Sequence, residues 1–357
     1  MACAPRLAPR AAIRGLSRGA GVRASSHARN ATPPRYAGVS TFFRAPYVDM
    51  HACSLAGVHV GLLGVPFDGG ASNRPGARYG PREVRSQSAS HVRRINQSTG
   101  VAPFELGLRV ADIGDAHVSR PFELVGAHAE VEAAVLGVAR AGVTPIAVGG
   151  DHSVSLPILR ALRRQSEAPL GLVHVDAHAD TGDDYGGSRF HHGAPFKIAV
   201  DEGLIDPRRT IQIGIRGSLA FEGQWAFSHK SGMRVVYIDE ALEKGVEFVL
   251  DEVYRVVGSS PAYLSFDIDA LDPAFAPGTG TPEIGGLSTH YAQCLIRGLG
   301  VCPSRGSVAA RTGIDLVGAD LVEVSPPYDA ADITSLAGAN LVFEMLCVIA
   351  HARARRA

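Results

Sequence analysis

Asp176-Ala-His-Ala-Asp180 follows the apolar run Gly171–Val175, and Asp267-Ile-Asp269 follows the apolar run Tyr263–Phe266. Along an extended backbone alternate residues point the same way, so each cluster is expected to aim its carboxylates and imidazole at one spot. A third run, Ile146–Val148, leads into Gly149-Gly-Asp-His-Ser153 and offers another imidazole at a strand end. Four or more carboxylates gathered in a dry cleft repel one another and lose hydration unless positive charge accompanies them. Bound cations are therefore implied.

His152, Asp176, His178, Asp180, Asp267 and Asp269 together offer two imidazoles and four carboxylates. Two divalent cations per chain would balance the four negative charges. Oxygen-rich ligation with a little imidazole suits Mn2+ better than a thiolate-seeking or strictly tetrahedral metal. No cysteine lies near either acidic cluster, which speaks against a structural zinc site. A DxD alone often marks a solvated turn; three clusters in the same structural position argue against that reading.

The elements that must carry these residues are legible as alternation. Val58–Val65, Val143–Val148, Gly171–Val175, Ile211–Ile215, Arg234–Ile238, Tyr263–Phe266 and Ala319–Val324 are short apolar runs suited to strands buried on both faces. Helical stretches lie between them, at Pro121–Arg140, Val154–Arg164, Val246–Val257 and His290–Leu299, with a last helix at Ile333–Arg353. Strand–helix alternation of this length predicts an α/β fold, a parallel sheet covered by helices on both sides. Ligands collect at the carboxyl ends of such strands, where the acidic clusters sit.

Composition adds limits. The chain has 357 residues, 46% of them hydrophobic, with five cysteines in no disulfide-like spacing. That usage fits a reducing interior. No run approaches the ~18–20 apolar residues of a bilayer span, so no membrane insertion is expected. Net charge is zero, yet residues 1–48 hold eight arginines and no acid. Arg6, Arg10, Arg14 and Arg18 recur every four residues, on one side of a helix. An arginine-rich, acid-free leader is the composition of a mitochondrial transit peptide. Residues 1–35 are therefore expected to be a disordered leader cleaved near Arg35, and 36–357 a single catalytic domain in the matrix. The alternative is a disordered basic arm for nucleic acid. Without an apolar signal core, secretion is not expected.

Five motifs in order resemble the ureohydrolase family of arginases, agmatinases and guanidino acid hydrolases. They are Gly149–Ser153, Asp176–Asp180, Ser265-Phe-Asp-Ile-Asp-Ala-Leu-Asp-Pro273, Ala276–Gly286 and Leu321-Val-Glu-Val-Ser-Pro-Pro327, with His192-Gly193 also matching. The similarity runs from about Val58 to the C-terminus, and with the basic leader is greatest to animal mitochondrial members. It implies a three-layer α/β/α fold around a parallel, roughly eight-stranded sheet, a homo-oligomer, and two manganese ions on the six residues above. Asp180 and Asp269 are the candidates for contacts shared between both ions.

The chemistry implied is hydrolysis of a linear guanidino compound to urea and an amine. A hydroxide held between two cations would attack the guanidinium carbon, because the metals lower the pKa of bound water towards ~7. The resemblance assigns proton relay to Asp180, proton shuttling to His192, and a planar charge-assisted pair with the guanidinium to Glu323. His174 and His191 read as hydrogen-bonded structural histidines, Asp151 and Asp272 as loop ties, and Asp115-Ala-His117 as a loop. Gly182 stands where arginases carry an asparagine that reads the amino-acid head group, so arginine is expected to be poor. Agmatine is the first expectation, with guanidinobutyrate and guanidinopropionate close behind. Arg189 would read an anionic tail and Asp183 a cationic one. Two other readings stay open: a single-zinc deacetylase of related fold, and a non-catalytic binding protein on the same scaffold.

Overall fold

A computed structural model describes residues 34–51, 53–92, 94–300 and 312–355. The expected leader, residues 1–33, lies outside the described residues, and the chain divides by its contacts between Gly38 and Val39.

Eight strands form one sheet: β1 Val60–Val65, β2 Val110–Asp115, β3 Thr144–Gly149, β4 Leu170–Val175, β5 Ile205–Ile215, β6 Arg234–Tyr237, β7 Ala262–Asp267 and β8 Leu316–Val322. Every pairing is parallel, in the order β2-β1-β3-β8-β7-β4-β5-β6. The chain builds outward from β1 to one edge and from β4 to the other, then fills the gap with β7 and β8. The four central strands, β3, β8, β7 and β4, are those that end in the acidic motifs. A reversal of winding at the middle of a parallel sheet leaves a crevice at the carboxyl ends.

Among the described residues eight helices cover the sheet: α1 Gly80–Ser90, α2 Leu124–Arg140, α3 Ser155–Arg163, α4 Pro195–Asp201, α5 Ala226–Ser231, α6 Ile238–Val257, α7 Thr289–Gly298 and α8 Ile333–Ala354. Alternate residues of β1 feed two separate cores. Val60 and Leu62 join α6, α7 and α8 on one face, while Leu63 and Val65 join α2, α3 and α4 on the other. The three-layer expectation is met, because strands buried on both faces need apolar cover from both.

Several elements depart from the sequence reading. Strand β2 escaped it because Asp112 breaks the apolar run; in the fold Asp112 is buried and paired with Arg85 at 2.9 Å. Helix α6 begins at Ile238 rather than Val246, with a kink at Gly245. Helices α1, α4 and α5 were not foreseen at all. Helix α8 lies where the last helix is expected, but it corrects the expectation that no run approaches a bilayer span: its 22 residues, with a window of mean hydropathy 1.8, are long and apolar enough to cross one by length and composition. That window is 78% buried inside the fold, the packing of a core helix.

His128 of α2 faces the sheet, its Nε2 3.0 Å from Ser153 Oγ, between the rings of Phe67 and Phe190. Burial, helped by Arg160, pushes its pKa down to about 4. The folded state therefore binds fewer protons than the unfolded chain between that value and the ordinary ~6.5. Stability from neutral His128 is complete above that window and is lost as pH falls through it, by up to about 3 kcal/mol. His128→Gln should thus shed less Tm than the parent between pH 7 and pH 5. Identical losses in the two melting curves would exclude the effect.

Candidate metal centre

The three motifs share one local device. Asp151, Asp176 and Asp267 stand where β3, β4 and β7 run out, and each turns a side-chain oxygen back onto the backbone. Asp151 Oδ1 accepts from Ser153 N at 2.9 Å, Asp176 Oδ1 from His178 N at 2.7 Å, and Asp267 Oδ1 from Asp269 N at 2.8 Å. Such aspartate turns replace the lost ladder hydrogen bonds and bend the chain sharply. Alternate side chains therefore converge because the chain bends, not because it stays extended as the sequence reading assumed. Gly150 is required beside the first turn, since a Cβ there would lie 1.5 Å from the Phe67 carbonyl oxygen.

Two sub-clusters result. His152 Nδ1 lies 3.1 Å from Asp176 Oδ2, 3.0 Å from Asp180 Oδ2 and 3.2 Å from Asp267 Oδ2. No hydrogen-bond partner of good geometry serves that buried nitrogen. His178 Nδ1 lies 3.1 Å from Asp269 Oδ2 and 3.5 Å from Asp176 Oδ1. Asp176 thus faces both groups with one oxygen each. The sequence expectation gave the shared position to Asp180 and Asp269; Asp176 is the carboxylate that stands between the two imidazoles here. Oxygens and imidazole nitrogens without a thiolate, drawn to within ligand reach of a common point, fit a pair of hard-to-borderline divalent cations.

The electrostatics carry the same message. Burial, then the neighbouring Asp269 and Asp176, drives the Asp267 carboxyl well above the usual range. Burial and Asp176 push Asp269 up to about 6. His178 moves the other way; burial disfavours its charge, but Asp269 and Asp176 outweigh it and lift the imidazole to about 12. Asp176 is the exception: against its burial, hydrogen bonds to His152, His174 and His178 hold it well below the usual carboxylate range.

His192 and Glu323 stand beside this cluster. His192 Nδ1 is 2.9 Å from Glu323 Oε1, and its Nε2 is 2.7 Å from Ser72 Oγ. Against its burial, Glu323 raises His192 to about 9. Glu323 Oε1 also accepts from the His152 backbone at 2.9 Å. Glu323 and Asp180 both hold left-handed backbone, at φ 63° and 49°. Non-glycine residues rarely adopt that conformation, and its cost is concentrated at functional sites. A cleft of about 620 Å³ opens over the cluster, with Ser72, His178, Asp180, His192, Asp267 and Thr281 on its walls.

The arginase family model matches residues 58–347. This chain belongs to the arginase family. Guanidinopropionase of Pseudomonas aeruginosa is 51% identical over 326 residues, covering 91% of this chain and 96% of that protein. Mitochondrial agmatinase of Gallus gallus is 45% identical over 315 residues, covering 88% and 87%. The solved proclavaminate amidino hydrolase of Streptomyces clavuligerus superposes with a TM-score of 0.81 at 39% identity, over 90% of this chain and all of that one. The chain is accordingly a hydrolase acting on carbon–nitrogen bonds of guanidino compounds.

Within this arginase-family fold the remaining sequence readings sort cleanly. His174 is buried, with Nε2 2.8 Å from Asp176 Oδ2 and Nδ1 3.1 Å from Gln212 Nε2. His191 ties to the Asp183 carbonyl at 2.7 Å, Asp151 also accepts from Gly70 N, and Asp272 accepts from three loop amides. Asp115 closes β2 and pairs with Arg85 at 2.7 Å, well away from the cleft. Glu323 is only 1% exposed and sits behind His192 rather than on the wall.

Arg189 stands apart from the cleft, in a small neighbouring hollow that it lines with Gly182, Asp183 and Asp184. It does not line the cleft; its guanidinium sits over the Phe190 ring and 3.8 Å from Asp201, with 55% of the side chain exposed. Adjacency to His192 in sequence does not carry over because Phe190 turns inward and Arg189 outward. Asp183 does line the cleft, but 88% of its side chain is in solvent and Lys197 stands 3.5 Å away. Lys230 and Trp225 from the α5 region also line the cleft and were missed. Nothing in their local sequence marks them. Arg216, also missed, donates to the carbonyls of Asp269 and Glu283, both at 2.7 Å, and so pins the loop that carries Asp269 and Thr281.

Proposed function

We propose that the chain is a manganese-dependent ureohydrolase of short guanidino acids, releasing urea and the corresponding amino acid. The observation that carries the substrate class is Lys230, an exposed cation among the residues that line the same cleft as the acidic cluster. A guanidinium held at the cluster would extend its anionic tail towards that ammonium. The name and 51% identity of the guanidinopropionase relative support the same choice.

His152, Asp176, His178, Asp180, Asp267 and Asp269 would hold the two cations, with Asp176 between them. When bound, such a pair lowers the pKa of water towards ~7 and polarises the substrate. The protein's own groups then act around it. Asp180, on the cleft wall, takes the proton of the attacking water and delivers it to the leaving amine nitrogen. His192, held charged by Glu323, exchanges protons with the cleft through Ser72. Glu323, buried behind His192, accepts from the His152 amide and the His192 ring and so holds that imidazole in place beside the cluster. Arginine should be poor because Gly182 offers no side chain to hold its amino-acid head group, and even a Cβ there would lie 2.9 Å from the Gly193 carbonyl oxygen.

Agmatine is the second reading, favoured by Asp183 and Asp184 on the same wall and by the agmatinase relative. Urea release with added Mn2+ across guanidinopropionate, guanidinobutyrate, agmatine and arginine separates the two. The acids should lead. Lys230→Ala should lower kcat/KM for the acids about fivefold, the scale of an exposed ion pair of ~1 kcal/mol, and spare agmatine. Equal losses on both would remove Lys230 from tail reading. Urea from none of the four would favour the non-catalytic scaffold, and acetate from an acetylated amine would favour the deacetylase.

His192→Asn should keep both Mn2+ ions but slow turnover at least tenfold, within the usual contribution of general acid–base groups. Added imidazole should restore part of the rate, and an unchanged kcat would end the shuttle assignment.

The basic leader and the mitochondrial names of animal relatives support a matrix location. Residues 1–40 fused to a fluorescent reporter should carry it into mitochondria; diffuse cytosolic fluorescence would refute that.

A further inference from the structure

Behind His152, away from the cleft, a buried chain of hydroxyls ends on a carboxylate. Asp320 lies in the interior of β8, in register with Ser265 of β7. Its Oδ1 accepts from Ser265 Oγ at 2.7 Å, and its Oδ2 accepts from Tyr263 Oη at 2.8 Å and Ser155 Oγ at 2.5 Å. It is fully buried and makes no ion pair among the described residues. A buried carboxylate without a cation is costly unless its lone pairs are filled. Here three hydroxyls fill them.

Each hydroxyl has a single proton to give. Ser265 gives its proton to Asp320, so towards His152 Nε2, 2.9 Å away, Ser265 Oγ can act only as an acceptor. His152 Nε2 must then carry hydrogen. In the neutral imidazole the lone pair falls on Nδ1, the atom that faces Asp176, Asp180 and Asp267. Positions 263, 265 and 267 alternate onto one face of β7, so one strand carries the anchor Tyr263, the relay Ser265 and the cluster residue Asp267.

We infer that Asp320 is a positioning residue of the metal centre, fixing through Ser265 the tautomer and ring orientation in which His152 Nδ1 ligates a divalent cation. The inference rests on the proposed function above. The carboxylate matters here because it can only accept. An amide at 320 could donate to Ser265, free the serine proton for His152 Nε2, and push the imidazole hydrogen onto Nδ1, where it blocks ligation. Partners of this kind behind a metal-bound histidine are typically worth 10–100-fold in metal affinity.

The test is Mn2+ titration of the full chain, with free Mn2+ read by electron paramagnetic resonance and folding checked by circular dichroism. The parent should hold two ions. Asp320→Asn, nearly identical in shape, should stay folded and loosen one of them by about 10–100-fold. Ser265→Ala cuts the hydroxyl link from Asp320 to His152 and should loosen the same ion to a similar degree. The double variant should be no weaker than the weaker single one, because both changes break one path. Tyr263→Phe removes a donor from Asp320 but leaves the path intact, and should keep both ions tight. Additive losses, or parent-like affinity in both Asp320→Asn and Ser265→Ala, would overturn the inference. If Asp320→Asn fails to fold, parent-like affinity in Ser265→Ala alone overturns it. A parent chain that takes up no Mn2+ would overturn the proposed function, and the inference with it.

Discussion

Mutual repulsion among buried carboxylates is the constraint around which the rest of the molecule is arranged. Asp176, Asp180, Asp267 and Asp269 stand within reach of two imidazoles, and burial beside other carboxylates drives Asp267 and Asp269 towards holding protons. A fold can gather such groups only where the backbone is already rigid and where positive charge is available. The carboxyl ends of four adjacent parallel strands meet the first condition. Those strands are pinned on both faces by apolar layers, so the ends cannot relax apart without exposing the core. The second condition is met in part by histidines, which the cluster pulls towards their charged forms, and is completed by cations.

Topology and chemistry are coupled through winding order. Had the chain placed its strands in sequence order, the ends of β3, β4, β7 and β8 would be scattered across the sheet. Instead β7 and β8 return to fill the centre, between β3 and β4. Residues separated by more than a hundred positions, such as His152 and Asp267, come to 3.2 Å. The left-handed backbone at Asp180 and Glu323 is the local counterpart of that arrangement. Each residue leaves a strand end in the direction the cluster needs, at a conformational cost the packed surroundings sustain.

What could be read from the sequence follows from where the information resides. The six cluster residues were legible because ionisable side chains at the ends of apolar runs are rare and costly, and their types already name a hard-metal site. The parallel sheet was legible for the same reason, since strands buried on both faces leave unbroken apolar runs. β2 was not, because Asp112 satisfies itself with Arg85 from α1, a partner no local pattern reveals. Asp320 raised no signal beyond being a lone charge in an apolar strand, yet that oddity is the trace of a buried network. The cleft wall was least legible. Arg189 lies three positions from His192 and points away, whereas Lys230 lies far along the chain and points in. Proximity in sequence says little about direction at a loop, where neither a period of 2 nor one of 3.6 constrains the side chain.

A carboxylate in this centre also does more than bind. Asp176 gives Oδ1 to the His178 amide and Oδ2 to His174, while both oxygens remain within reach of the cluster. Asp267 gives Oδ1 to the Asp269 amide and turns Oδ2 towards His152. Asp269 accepts from the Ala177 amide with Oδ1 and faces His178 with Oδ2. The oxygen that ends the strand and the oxygen that faces the cluster belong to one rigid group. Ligand geometry is thereby fixed by backbone geometry rather than by side-chain torsions. Glutamate, one methylene longer, would break the short turn to the residue two ahead even if it still reached the metal. Aspartate at these strand ends is thus specified twice, once by the fold and once by the chemistry.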